Sequence, residues 1–123
     1  MKIFVNRILP PKGFIAINIF GMLFVRKSYA SRMNERVIFH ERIHTAQMVE
    51  TLFVLFYLLY FLEWIFWLVR SLFDRGINPY RSISFEREAF SNDQDFTYLQ
   101  RRKLFSAWRY YLRWKGVRGD AAP

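Results

Sequence analysis

Both histidines of this 123-residue chain fall in one pentapeptide, His40-Glu41-Arg42-Ile43-His44. Positions i and i+4 share a helix face, so both imidazoles can reach one Zn²⁺ ion. The glutamate between them projects beside the metal, where it can take a proton from water. On ordinary residue usage, three fixed residues at this spacing meet by chance in a chain this size well under about 1% of the time. The motif needs a helix around it, and the surrounding residues supply one, free of Gly and Pro.

Two histidines leave the ligand set incomplete, because catalytic zinc usually takes three protein ligands and keeps an open position. With no cysteine in the chain, the third ligand must be a carboxylate. Beyond Glu50 and Glu63, the carboxylates available are Asp74, Glu86, Glu88, Asp93 and Asp95. The segment Phe85-Glu86-Arg87-Glu88-Ala89-Phe90 stands out among them. On a helix Glu86 and Glu88 point about 200° apart, so only one of the two can face the metal. Gln47 borders the same face as His44 and is placed to hydrogen-bond there.

HERIH followed by FEREAF resembles the gluzincins, zinc metallopeptidases whose third ligand is a glutamate on a later helix. In the membrane-bound members, the HtpX-like and CAAX-prenyl proteases, that helix carries E-x-x-A-D. The resemblance implies Glu86 as third ligand, with Glu88 as the alternative, and Ala89 as the small residue packed near the motif helix. Phe90 stands where the pattern has Asp, so the carboxylate that would orient a ligating His is missing there, and Asn92, Asp93 or Asp95 are the residues that could take its place. The chain is also similar to a group of small bacterial membrane proteins with HERIH, an aromatic apolar helix and an FEREA-type segment. What this implies is peptide-bond hydrolysis of a peptide or protein substrate, with Zn²⁺ activating water and Glu41 as general base. Such sites want a donor for the developing oxyanion, and Tyr80, Tyr98, Arg101 and Tyr111 are the choices.

The elements that must position these groups surround an apolar stretch, Leu52 to Val69, interrupted only by Glu63 and closed by Arg70. Its length is near the roughly 17–25 residues of a membrane-spanning helix. Upstream, Phe14 to Val25 is too short to span. With Lys2 to Leu9 and the turn Pro10-Pro11-Lys12-Gly13, it reads as a β-hairpin within residues 1–27. An edge strand of that hairpin near the zinc can hold an extended peptide by main-chain pairing. A signal peptide is disfavoured, because Arg26 and Lys27 separate the apolar run from the would-be cleavage site. Asn34 caps a helix with Glu35 in its first turn, and helix continues, as one or two abutting pieces, to about Phe73. Gly76 and Pro79 break the chain. Ser82 or Ser84 then starts a helix through Phe90, and Asp95 caps a last one from Phe96 to Lys115, with a frayed end after it. The expected fold is one domain, 1–123, mainly α with a small N-terminal β-hairpin (α+β), in segments 1–27, 34–73 and 82–115.

Composition narrows the partners. The chain is 53% hydrophobic and 20% aromatic, with 19 Lys+Arg against 10 Asp+Glu and a net charge of +9. So apolar a chain excludes disorder, and the lack of Cys excludes a disulfide scaffold, an iron–sulfur site and thiolate ligands. Its seven basic residues between Arg101 and Arg118 alternate with Trp108, Tyr110, Tyr111 and Trp114. That mixture suits anionic membrane lipids better than nucleic acid, given the apolar stretch already present.

Topology and site pull against each other. If Leu52 to Val69 crossed a bilayer once, His44 and Glu86 would lie on opposite sides of about 30 Å of hydrocarbon. Residues 1–50 carry eight Lys+Arg and residues 70–123 carry eleven, which favours both termini on the cytoplasmic side of a bacterial inner membrane. A stretch that dips into the membrane, or turns back near Glu63-Trp64, reconciles these facts. The expectation is a membrane-associated zinc metallopeptidase; the alternative is a membrane-embedded binding or assembly protein with a structural metal or none.

Overall fold

The computed structural model describes residues 1–112 and 116–118. Three short strands open the chain: β1 (Ile3–Asn6), β2 (Ala16–Ile19) and β3 (Met22–Arg26). They form one sheet in the order β1-β3-β2, with β3 parallel to β1 and antiparallel to β2. The hairpin therefore lies wholly inside the Phe14–Val25 run, and Pro10–Gly13 leads instead to the far edge of β3. Its two-residue turn is Phe20-Gly21, with φ of 50° and 87°, the left-handed pair that matches strand twist. Phenylalanine is an uncommon residue for that conformation. It is held by ring contacts to Phe53 and Tyr57, at 5.9 and 5.5 Å, and its N–H donates to the Tyr57 hydroxyl at 2.9 Å.

Asn34 caps α1 (Glu35–Glu50), its side chain accepting from the Val37 N–H at 2.9 Å. Helix α2 (Val54–Phe73) follows after a break at Leu52 and Phe53, which take φ of 55° and 61°. The Phe53 N–H reaches the Met48 carbonyl at 2.7 Å, closing the end of α1 as an αL cap does. No Gly or Pro marks this break.

Helix α2 is continuous through Glu63-Trp64. Glu63 turns toward the later part of the chain, where its Oε1 accepts from the Ser84 N–H at 2.9 Å. It thereby caps α4 (Ser84–Asn92), whose own preceding residue, Ile83, offers no capping side chain. The short α3 (Pro79–Ser82), capped by Asn78, turns the chain so that the first turn of α4 meets α2 and α4 packs against α1. Phe85 meets Phe56 at 4.7 Å, while Ile77 and Ile83 join Trp67, Met48 and Ala107 in the main core. Phe39, Ile43 and Ala89 form a second cluster between α1 and α4, so Ala89 is the small residue against the motif helix.

The expected helix from Phe96 to Lys115 is broken into α5 (Tyr98–Arg101) and α6 (Ala107–Tyr111). Asp95 does not cap it: Thr97 takes the N-cap position with no side-chain cap, and Asp95 accepts from the Thr97 N–H at 3.2 Å in the turn before the helix. Arg102 leaves helical geometry and turns inward to buried carboxylates, and Phe105 takes φ of 58°. The expected end at Lys115 and the terminal 119–123 stretch lie outside the described residues.

Candidate metal centre

Helix α1 presents His40 and His44 on its buried face, with the two Nε2 atoms 3.1 Å apart. Helix α4 delivers Glu86, whose Oε1 lies 3.0 Å from each Nε2. The packing of α4 against α1 brings these groups together, so α2 separates them in sequence but not in space.

What the outer nitrogens do decides what the inner ones offer. His40 Nδ1 lies 3.0 Å from Asp93 Oδ2, a carboxylate that can only accept. His44 Nδ1 lies 2.8 Å from Gln47 Oε1. That amide can be oriented only one way, because its Nε2 faces the Phe85 carbonyl at 3.0 Å and Glu88 Oε1 at 2.8 Å. Both imidazoles therefore carry hydrogen on Nδ1, which leaves the two Nε2 atoms, each 3.0 Å from Glu86 Oε1, as the ligand positions. The three ligand atoms of His40, His44 and Glu86 converge closely enough to hold one metal ion, which would take the place of the Nε2 protons that otherwise join the rings to the carboxylate.

Glu41, on the same helix, is half-buried beside this group. Burial lifts its carboxyl above the ordinary range against the opposing pull of the two imidazoles, which moves it toward the value a general base needs. In the metal-free chain, burial works to lower His44, but the Glu86 carboxylate outweighs it and pushes the imidazole up to about 9. His40 is likewise raised, with Asp93 and Glu86 overcoming its burial. Burial alone would raise Glu86, yet the His44 charge and both imidazole hydrogen bonds hold it well below its usual value.

The remaining residues expected from the sequence fall in several places. Of the three candidates for orienting a histidine, Asp93 does so, while Asp95 pairs with Arg101 at the surface and Asn92 binds the Glu88 carbonyl. Glu88 is not a ligand: it is fully buried and clamped by Arg102 and Tyr98. Tyr98 and Arg101 are thus both engaged away from the three ligand atoms, and Tyr111 lines an apolar cavity with Leu59, Leu62 and Phe66. Tyr80 alone of the proposed oxyanion donors lies near the centre, where desolvation of its hydroxyl, followed by the Glu86 charge, raises its phenol.

Sequence reasoning missed Tyr60, whose hydroxyl donates to Glu86 Oε2 at 2.6 Å. It sits in the apolar stretch, and only a helical wheel placing it beside Glu63 could have drawn it out. Beside the centre, β2 lies on α1, with Asn18 Nδ2 donating to the Glu41 carbonyl at 2.9 Å and to Thr45 at 3.0 Å. Among the described residues, α2 is the one helix long and apolar enough to cross a membrane. No protein-family model, curated protein or solved structure matches this chain.

Proposed function

We propose that the protein is a membrane-associated zinc metallopeptidase of gluzincin type. The observation that carries this reading is the convergence of His40 Nε2, His44 Nε2 and Glu86 Oε1 beside the raised carboxyl of Glu41. Two imidazoles and one carboxylate suit zinc. Three protein ligands, among the described residues, fit a catalytic site better than the four of a structural one. Zinc held there supplies Lewis acidity, lowering the pKa of water and polarising a carbonyl.

The chain's own groups do the rest. Glu41 takes the proton of the attacking water and passes it to the leaving amine. Tyr80 donates to the oxygen on which charge develops. Strand β2, an edge of the sheet lying against the motif helix, pairs with an extended peptide. Its Asn18 carbonyl already accepts from Tyr57 at 3.0 Å, so pairing is carried by the part of the strand nearer Ala16.

Helix α2 sets the location. Val54, Leu58, Phe61, Leu62, Trp64 and Phe66 are exposed along it, and at 3.6 residues per turn they span more than half of its circumference. Phe20, at the hairpin tip, and Leu52 extend that surface, being 52% and 80% exposed. The other side carries Tyr60 and Glu63 against α4, whose Arg87 and Glu88 are costly at bilayer mid-depth. A helix lying in the interface, its apolar side in lipid and the basic C-terminal segment near anionic headgroups, accommodates both. It also leaves both termini on one membrane face.

Metal analysis and peptide cleavage by the detergent-purified chain, beside Glu41→Gln, test the assignment. Both forms should hold a single zinc, and only the variant should lose cleavage. A zinc-loaded wild type that cleaves nothing favours the binding or assembly alternative, and absence of metal at neutral pH sinks the catalytic reading.

A further inference from the structure

We propose that Arg102, acting through Glu88 and Gln47, fixes which nitrogen of His44 is offered to the metal. The proposal rests on His40, His44 and Glu86 being a metal centre, and adds a control on it from a distant part of the chain. The relay crosses three elements. The Arg102 fork holds Glu88 through Nε at 2.6 Å and Nη2 at 3.0 Å, and its outer nitrogens also meet Glu50 of α1. Tyr98 donates to the same Glu88 oxygen at 2.6 Å. Glu88 then accepts from Gln47 Nε2, and Gln47 Oε1 faces His44 Nδ1. Gln47 and Glu88 are fully buried, and the Arg102 side chain is only 5% exposed.

Each link constrains the next. Arg102 donates to Glu88 through two nitrogens and Tyr98 through its hydroxyl, so Glu88 acts as an acceptor. Facing an obligate acceptor, Gln47 must turn its NH₂ toward Glu88 and its carbonyl toward His44. The carbonyl in turn requires hydrogen on His44 Nδ1, which leaves Nε2 bare for the ion. With Glu88 absent, only the Phe85 carbonyl at 3.0 Å still opposes turning the amide over, and the flipped orientation becomes accessible. Its NH₂ would then meet Nδ1, the ring hydrogen would move to Nε2, and the lone pair needed for the metal would be gone. Arg102, Glu88 and Gln47 are positioning residues, touching neither ion nor substrate. They also account for the break between α5 and α6, since Arg102 cannot both continue the helix and reach Glu88.

The test uses the full chain in detergent with Co²⁺ as probe, reading affinity by chelator competition, the visible absorption of the bound ion, and imidazole tautomers by ¹⁵N NMR. Gln47→Leu and Arg102→Met should each weaken Co²⁺ binding about 10–100-fold and alter its spectrum, whereas Arg102→Lys, which keeps the charge, should lose less. The double exchange Gln47→Glu with Glu88→Gln places a carboxylate directly on His44 and an amide against Arg102. It should restore the affinity that Gln47→Leu loses, with hydrogen on Nδ1. Should Arg102→Met fail to fold, Gln47→Leu and the exchange decide the matter. Wild type that binds Co²⁺, with Gln47→Leu matching it in affinity, spectrum and tautomer, overturns the relay and leaves the metal centre standing. Wild type that takes no metal overturns both.

Discussion

His40 Nδ1 and Asp93 Oδ2 lie 3.0 Å apart, and Arg36 Nε holds the other oxygen of that carboxylate at 2.9 Å. In the E-x-x-A-D pattern that FEREAF resembles, the acid comes directly after the alanine, where this chain has Phe90. Three residues further along a helix is the same face one turn on, so Asp93 reaches the histidine that an acid at position 90 would have reached. Phe90 instead packs its ring on His40 at 4.4 Å. Asp93→Ala should weaken zinc binding about 10–100-fold. Chelator competition measures this, and unchanged affinity would show that the contact does not orient the ligand.

Removing the metal should expose a pH dependence that the loaded protein lacks. His44 rises from 6.5 to about 9 in the metal-free fold. Its contribution to stability is therefore complete below about pH 6.5 and fades as pH rises through 9. Glu86 is held below its ordinary 4.5, so its contribution is present above that pH and is lost as pH falls further. Chelator-treated protein should melt highest between about pH 4.5 and 6.5 and lose stability toward pH 9. The same melts with zinc present should not fall over the alkaline part of that range. Parallel curves would argue that the ion does not occupy these three groups.

Tyr60 and Tyr80 both face Glu86, yet they should differ kinetically. Tyr80→Phe should lower kcat about a hundredfold with little change in KM, as loss of a transition-state donor does. Tyr60→Phe should act on zinc affinity, since its hydroxyl steadies the second oxygen of a ligand. Equal effects of the two on kcat at saturating zinc would contradict this division.

Glu63→Leu should lower the melting temperature. Its carboxylate caps α4 at Ser84, and loss of a cap costs about 1 kcal/mol, or roughly 4 °C in a domain this size. Zinc affinity should fall with it, because the first turn of α4 carries Glu86. An unchanged melt would mean that α4 is held by packing alone.

Placing Lys at Leu58 and Ile65 together should shift the protein from sedimenting phosphatidylglycerol vesicles to the supernatant. Both residues are exposed on α2, so zinc content should be unaffected. Retained vesicle binding would count against α2 as the lipid-facing element.

Local pattern carried much of this molecule. The helix around His40-Glu41-Arg42-Ile43-His44, its Asn34 cap, the β residues near the start and the Ser84 helix follow from spacing, caps and turn residues within a few positions. What escaped depends on distant partners. Strand β1 joins β3 in parallel because the sheet needs residues far apart in sequence, and no turn signal encodes that. The break at Leu52 and Phe53 carries neither Gly nor Pro and is stabilised by the Phe20 ring and the Met48 carbonyl. The C-terminal helix looked continuous because Arg102 reads as a solvated charge until Glu50 and Glu88 are seen around it. At the centre, the two histidines and Glu41 were legible from spacing, and Glu86 from resemblance. Tyr60 was hidden by its apolar neighbours.

The order in which the ligands are made has a consequence for the cell. Two are on α1 and the third is on α4, so the ribosome must deliver all of α2 and the turn after it before the set is whole. A nascent chain stalled within α2 exposes both histidines without the carboxylate that completes them, and stays inert however much zinc surrounds it. On the proposed reading, activity is thereby timed by synthesis: hydrolysis would begin only after the apolar helix has been made and α4 has come back onto α1.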